Sequence, residues 1–92
     1  MMLGTTQKLP FSYQVFYIIK ANRERILNHM FVWGMNAREA KTTCRDMVME
    51  QTGHHAFSML AIREDVSDEA AQQKIEDFYG PDFIRKQNKG GI

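Results

Sequence analysis

Ten residues constrain this chain more than any others: Phe11-Ser-Tyr-Gln-Val-Phe-Tyr-Ile-Ile-Lys20 holds no glycine or proline and is rich in aromatic and β-branched side chains. Such residues suit a pleated, extended backbone, and successive side chains of a strand alternate between its two faces. Phe11, Tyr13, Val15, Tyr17 and Ile19 therefore share one face. Ser12, Gln14, Phe16, Ile18 and Lys20 share the other, which is polar at its ends and apolar in its middle. A strand with apolar residues on both sides belongs at the centre of a sheet.

Its neighbours follow from turn and cap signals. Lys20-Ala-Asn-Arg-Glu-Arg25 is polar and reads as a hairpin loop, with Asn22 the residue best suited to positive φ. Ile26–Trp33 is a second extended run, broken at Gly34, and is expected to pair antiparallel with the first. Asn36-Ala-Arg-Glu39 has the form of a capping box opening a helix that stops at Gly53. At about 100° per residue, Ala37, Ala40, Cys44, Met47, Val48 and Gln51 fall on one arc, the face expected to pack on the sheet. His54–Ile62 is the third strand, and Ser67 caps a second helix whose stripe is Ala71, Ile75, Phe78 and Tyr79. Gly80-Pro81 ends that helix, and Asp82–Gln87 adds a further turn or two docked through Phe83 and Ile84.

The order ββαβα predicts a single α+β domain over residues 1–92, with loose tails at about 1–9 and 88–92. A helical crossover returns the third strand parallel to the second, which places the first between them: a three-stranded antiparallel sheet of order 2-1-3 with helices on one face. The helices are expected on the Tyr13, Val15 and Tyr17 side. Phe16 and Ile18, with partners from Met30, Val32 or Phe57, then form an apolar patch on the opposite side, a possible interface covered by a partner or by a folded-back tail. An edge strand could also pair with its copy.

No constellation of catalytic groups is visible, and the chain reads as a protein that is not an enzyme and needs no cofactor. Cys44 lies on the apolar arc as a packed thiol. His29, His54 and His55 lack the spacing of metal ligands. A lone cysteine, the lack of a membrane-length apolar run and the lack of a basic-then-apolar N-terminal pattern point to the cytoplasm. The formal net charge of +1 speaks against a strongly basic nucleic-acid tail but leaves room for local patches. Two are apparent. Lys20, Arg23 and Arg25 crowd the hairpin turn around Asn22, and Arg38, Lys41 and Arg45 form a stripe on the first helix, opposed by acidic Glu39, Asp46 and Glu50. Cations grouped in this way suit phosphate or an acidic protein surface, and the aromatic residues Tyr13, Phe16, Tyr17, Phe31 and Trp33 around them are of a type on which bases stack.

The ββαβα order, the length of 92 residues, the basic hairpin Lys20–Arg25 and the split-charge helix Asn36–Thr52 together resemble small phage-encoded anti-CRISPR proteins directed at the type I-F surveillance complex. The resemblance implies a non-enzymatic inhibitor in the cytoplasm of a bacterial host, binding Cas proteins and guide RNA and blocking engagement of target DNA. Many such inhibitors are acidic DNA mimics. The +1 balance departs from that pattern and favours wedging between Cas subunits with basic contacts to guide RNA. The alternative from the residues alone is a small phage or plasmid regulator that binds nucleic acid directly.

Overall fold

The structure, a computed structural model, describes residues 10–90. The tail expected at about 1–9 lies outside the described residues, as do the last two residues of the tail expected at 88–92. Six elements follow one another: β1 (Phe11–Ala21), β2 (Glu24–Gly34), α1 (Ala37–Thr52), β3 (Phe57–Arg63), α2 (Asp68–Tyr79) and α3 (Pro81–Gly90). The strands form one antiparallel sheet in the expected order β2-β1-β3. α3 is longer than the turn or two that Asp82–Gln87 suggests. β3 starts later than expected, because the Thr52 hydroxyl accepts the His54 N–H at 3.1 Å and holds the two histidines in the connection.

β1 and β2 pair without interruption from Phe11 opposite Gly34 to Ala21 opposite Glu24. β3 pairs with β1 only as far as Ile18 opposite Phe57, so beyond that point the hairpin projects as a two-stranded arm. The β1–β3 register shifts at a bulge between Phe16 and Ile18, where Ser58 takes φ +50°. The Ser58 carbonyl accepts the Tyr79 hydroxyl at 2.6 Å, a link from the irregular stretch of β3 to the end of α2.

α1 opens as its sequence requires. Asn36 Oδ1 accepts the Glu39 N–H at 2.9 Å, and Glu39 Oε1 accepts the Met35 N–H at 2.9 Å. It closes on Gly53 at φ +76°, whose N–H bonds the Met49 carbonyl. Its buried residues Ala40, Cys44 and Val48 meet Tyr13, Val15, Tyr17 and Val32 in one core. Val15 is fully enclosed. Met47 and Gln51, expected on the same arc, are exposed. Outer strands at ~4.8 Å spacing lie only ~10 Å apart across a three-stranded sheet, about the diameter of one helix, so a single helix spans the width and the arc it buries is narrow.

The expected helix layer on the Tyr13, Val15 and Tyr17 face is thus supplied by α1. The C-terminal helices go elsewhere. Phe78 and Tyr79 of α2 and Phe83 of α3 gather beside Ile18 on the opposite face, and α3 then reaches the outer edge of β2. There Gln87 Oε1 accepts the Leu27 N–H at 3.0 Å, while Gln87 Nε2 donates to the Arg25 carbonyl at 3.1 Å. One side chain takes the place of a pairing strand. Of the two coverings foreseen for this face, the folded-back C-terminal segment is realised at its hairpin end. α2 buries none of its residues fully, so its stripe of Ala71, Ile75, Phe78 and Tyr79 is a partly wet contact rather than core.

Candidate basic site at the hairpin tip

The turn that carries the basic loop is tighter than its composition suggests. Only Asn22 and Arg23 lie between the strands, both with positive φ, +53° and +67°. Two such residues make the turn of type I′, whose twist matches that of the strands it joins. Asparagine tolerates this conformation. Arginine does so at a cost of about 1 kcal/mol, because its Cβ crowds the following carbonyl. Arg23→Gly is therefore expected to stabilise the fold by about 0.5–1 kcal/mol, seen as a higher midpoint in urea with an unchanged slope; a lower midpoint would mean that the Arg23 side chain holds the fold together.

A second unfavourable arrangement lies one pair further back. Lys20 and Arg25 sit directly across from each other in the ladder. Like charges opposed in an antiparallel pair destabilise it by a few tenths of a kcal/mol to ~1 kcal/mol. All three cations are exposed, as is Asn22.

α3 adds what the sequence leaves unconnected. An open groove of about 910 Å³ runs between the tip and this helix, lined by Arg23, Glu24, Arg25, Leu27, Lys86 and Phe83 among others. Lys86 thereby joins Arg23 and Arg25, giving three cations against one carboxylate. Sequence separation hid it: Lys86 stands on a helix whose attachment to β2 depends on the amide of Gln87. No local signal marks that contact. Two ion pairs form among the described residues, Arg63 with Asp65 at 2.7 Å and Arg85 with Asp82 at 3.2 Å, and neither involves the cations of the groove.

The helix stripe does not join this site. Arg38 stands in the first turn of α1, next to the base of the hairpin, and the tip lies about 36 Å away along an 11-residue strand at ~3.3 Å per residue. Arg38 and Arg45 are exposed and Lys41 is half-buried. They form a separate surface on the α1 side of the sheet.

The apolar patch is also redistributed. Ile18 is 5% exposed under the aromatic residues of α2 and α3, and Phe16 is half-buried with its ring 5.4 Å from that of His29. Tyr13 and Tyr17 are core residues. Met30 and Val32, expected beside Phe16 and Ile18, lie on the α1 face because they stand opposite Val15 and Tyr13 in the ladder. The exposed aromatics on the Phe16 face are Phe31 (57%) and Trp33 (66%), with His29 edge-on to Phe31 at 5.7 Å.

Titration behaviour agrees with packing rather than chemistry for the single thiol. Burial pushes Cys44 up to about 11, which keeps it protonated and poorly nucleophilic near neutrality. Tyr17 and Tyr79 are raised too, first by burial and then by the nearby Cys44. No helix among the described residues is long and apolar enough to cross a membrane. No family model, curated protein or solved structure matches the chain.

Proposed function

We propose that this chain is a non-enzymatic binding protein that grips a phosphate-bearing surface of a ribonucleoprotein with its projecting hairpin tip, braced by α3. One observation carries the reading. The tip holds Arg23 in left-handed backbone and Lys20 opposite Arg25, two arrangements that cost stability and that a glycine or a carboxylate would relieve. Local rules broken together, at a surface with no core to serve, point to side chains retained for what they touch. Arg23, Arg25 and Lys86 around an open groove suit phosphate oxygens, Asn22 adds a neutral donor and acceptor, and Phe83 and Leu27 give the groove an apolar wall.

The resemblance to anti-CRISPR proteins narrows the partner to the type I-F surveillance complex, with Cas subunits and guide RNA meeting at the docking surface and target DNA excluded. Arg38, Lys41 and Arg45 offer a second contact surface on α1. The test is competition with target DNA on the purified surveillance complex. The wild-type chain is expected to block at one equivalent. Arg23→Glu with Arg25→Glu is expected to weaken binding by at least about 100-fold, since hydrogen bonds to charged groups contribute ~1.5–3 kcal/mol each. Unchanged blocking by this variant removes the tip from the site, and no blocking by the wild-type chain removes this partner.

The alternative, a regulator that binds nucleic acid directly, uses the same cations. It requires binding to naked RNA or DNA whose logarithm falls with log salt at about −0.7 to −0.9 per phosphate contact. A flat titration at low salt discards it.

A further inference from the structure

The sheet has two outer edges. α2 lies beside β3, with the Tyr79 hydroxyl bonded to the Ser58 carbonyl. The edge of β2 is closed over only part of its length. The two bonds from Gln87 show that Leu27 and Arg25 turn their N–H and C=O groups outward. In an uninterrupted antiparallel ladder such residues alternate, so His29, Phe31 and Trp33 also face outward. The His29 N–H is held at 2.8 Å by Asn28 Oδ1, a neighbouring side chain free to rotate away. For the outward groups of Phe31 and Trp33 no hydrogen bond is found among the described residues.

This open stretch also lacks the devices by which monomeric proteins guard an edge. Asn28-His-Met-Phe-Val-Trp-Gly34 contains no charged residue and no proline, and its pairing with β1 has no bulge. Charge is confined to Glu24 and Arg25, in the half that Gln87 closes.

We propose that β2 pairs antiparallel with β2 of a second copy about a two-fold axis at Phe31, joining two sheets into one of six strands. Phe31 then lies opposite Phe31, His29 opposite Trp33, and Met30 opposite Val32. No like charges meet: the five central residues of each edge form aromatic or aliphatic pairs, the combinations that stabilise cross-strand neighbours, and only the end pair, Asn28 opposite Gly34, is of another kind. The outward N–H and C=O groups of Phe31 and Trp33 gain partners. Rings of this kind present about 150–250 Å² each, so Trp33 at 66% and Phe31 at 57% exposure bring about 500 Å² of aromatic surface to the seam from the two copies. Two backbone edges of seven residues supply the remainder of the ~1,000 Å² that marks a specific interface. The assembly does not depend on what the hairpin tip binds.

Sedimentation equilibrium of the full chain, up to about 1 mM, provides the test. The expected species has twice the monomer mass of 10.7 kDa. Phe31→Lys sets two ammonium groups against each other at the axis and is expected to give monomers with the wild-type circular dichroism spectrum. The register has its own check. Trp33→Glu is expected to weaken the dimer by removing the Trp33 rings from the seam and leaving a carboxylate there with no lysine or arginine opposite it, and adding His29→Lys is expected to recover part of the loss by setting opposite charges at both symmetry-related pairs. A wild-type chain that stays monomeric throughout overturns the proposal, whatever foreign strand or nucleic acid the edge binds. A dimer that survives Phe31→Lys overturns it equally.

Discussion

Gly34→Ala is expected to lower stability by about 2–3 kcal/mol, a large part of the 5–15 kcal/mol available to a small domain. Gly34 ends β2 where the chain turns into α1. A Cβ there would lie 2.9 Å from the Ala40 nitrogen, 3.2 Å from the Ala40 Cα and 3.2 Å from the Asn36 carbonyl oxygen. All three are backbone atoms, so no side chain can swing aside. Relief requires moving the first turn of α1, which disturbs the Asn36 cap and the burial of Ala40 together. At ~4–8 °C per kcal/mol for a domain of this size, the melting temperature should fall by roughly 10–20 °C. Gly53→Ala is the control: that glycine has φ +76° and open space around it, so the expected loss is only about 1 kcal/mol. Equal losses at the two sites would contradict the close approach at Gly34.

The second large effect is loss of stability in alkali. An unfolded cysteine ionises near 9, whereas burial pushes Cys44 up to about 11. Between those values the unfolded chain has released a proton that the folded chain keeps. The unfolded state binds fewer protons there, so stability falls as pH rises. The contribution is fully present below about pH 9 and is lost through pH 11. Two pH units correspond to about 2–3 kcal/mol at ~1.4 kcal/mol each. Tyr17 and Tyr79, raised in the same direction, extend the decline to higher pH. Urea midpoints measured from pH 8 to 11 are expected to drop steeply for the wild-type chain. Cys44→Ala is expected to start lower at pH 8, through the cavity it leaves, and to decline less. Parallel curves for the two proteins would show that the thiol does not carry the effect.

Local chemistry made much of the fold legible. The alternation in Phe11–Lys20, the asparagine at the turn, the Asn36–Glu39 box and the glycine at 53 each act within a few residues, and each is realised. The strand order followed from connection rules. What escaped depends on distant contacts. Alternation within each strand does not say which faces match across the hairpin: the register puts Phe31 and Trp33, not Met30 and Val32, on the face of Phe16 and Ile18, and no local signal says where along that face a helix will land. Ile18 is buried and Trp33 exposed because α3 is tied to Arg25 and Leu27, more than 60 residues back in one case and 60 in the other. The same tie brings Lys86 to the tip. In α1 the buried arc is narrower than the helical periodicity suggests: a helix over three strands buries Ala40, Cys44 and Val48 and leaves Met47 outside.

A side chain that substitutes for a strand has a dynamic signature of its own. A paired strand leaves its neighbour through cooperative loss of several ladder bonds, whereas Gln87 can leave β2 by rotating about its own side-chain bonds. Once its two hydrogen bonds are released, a single side chain rotates far faster than sheets open. Amide protection along β2 is therefore graded by the kind of partner each N–H has. The Leu27 amide, latched by one carboxamide, exchanges through local opening, while inward amides such as that of Met30 exchange only when β1 and β2 separate.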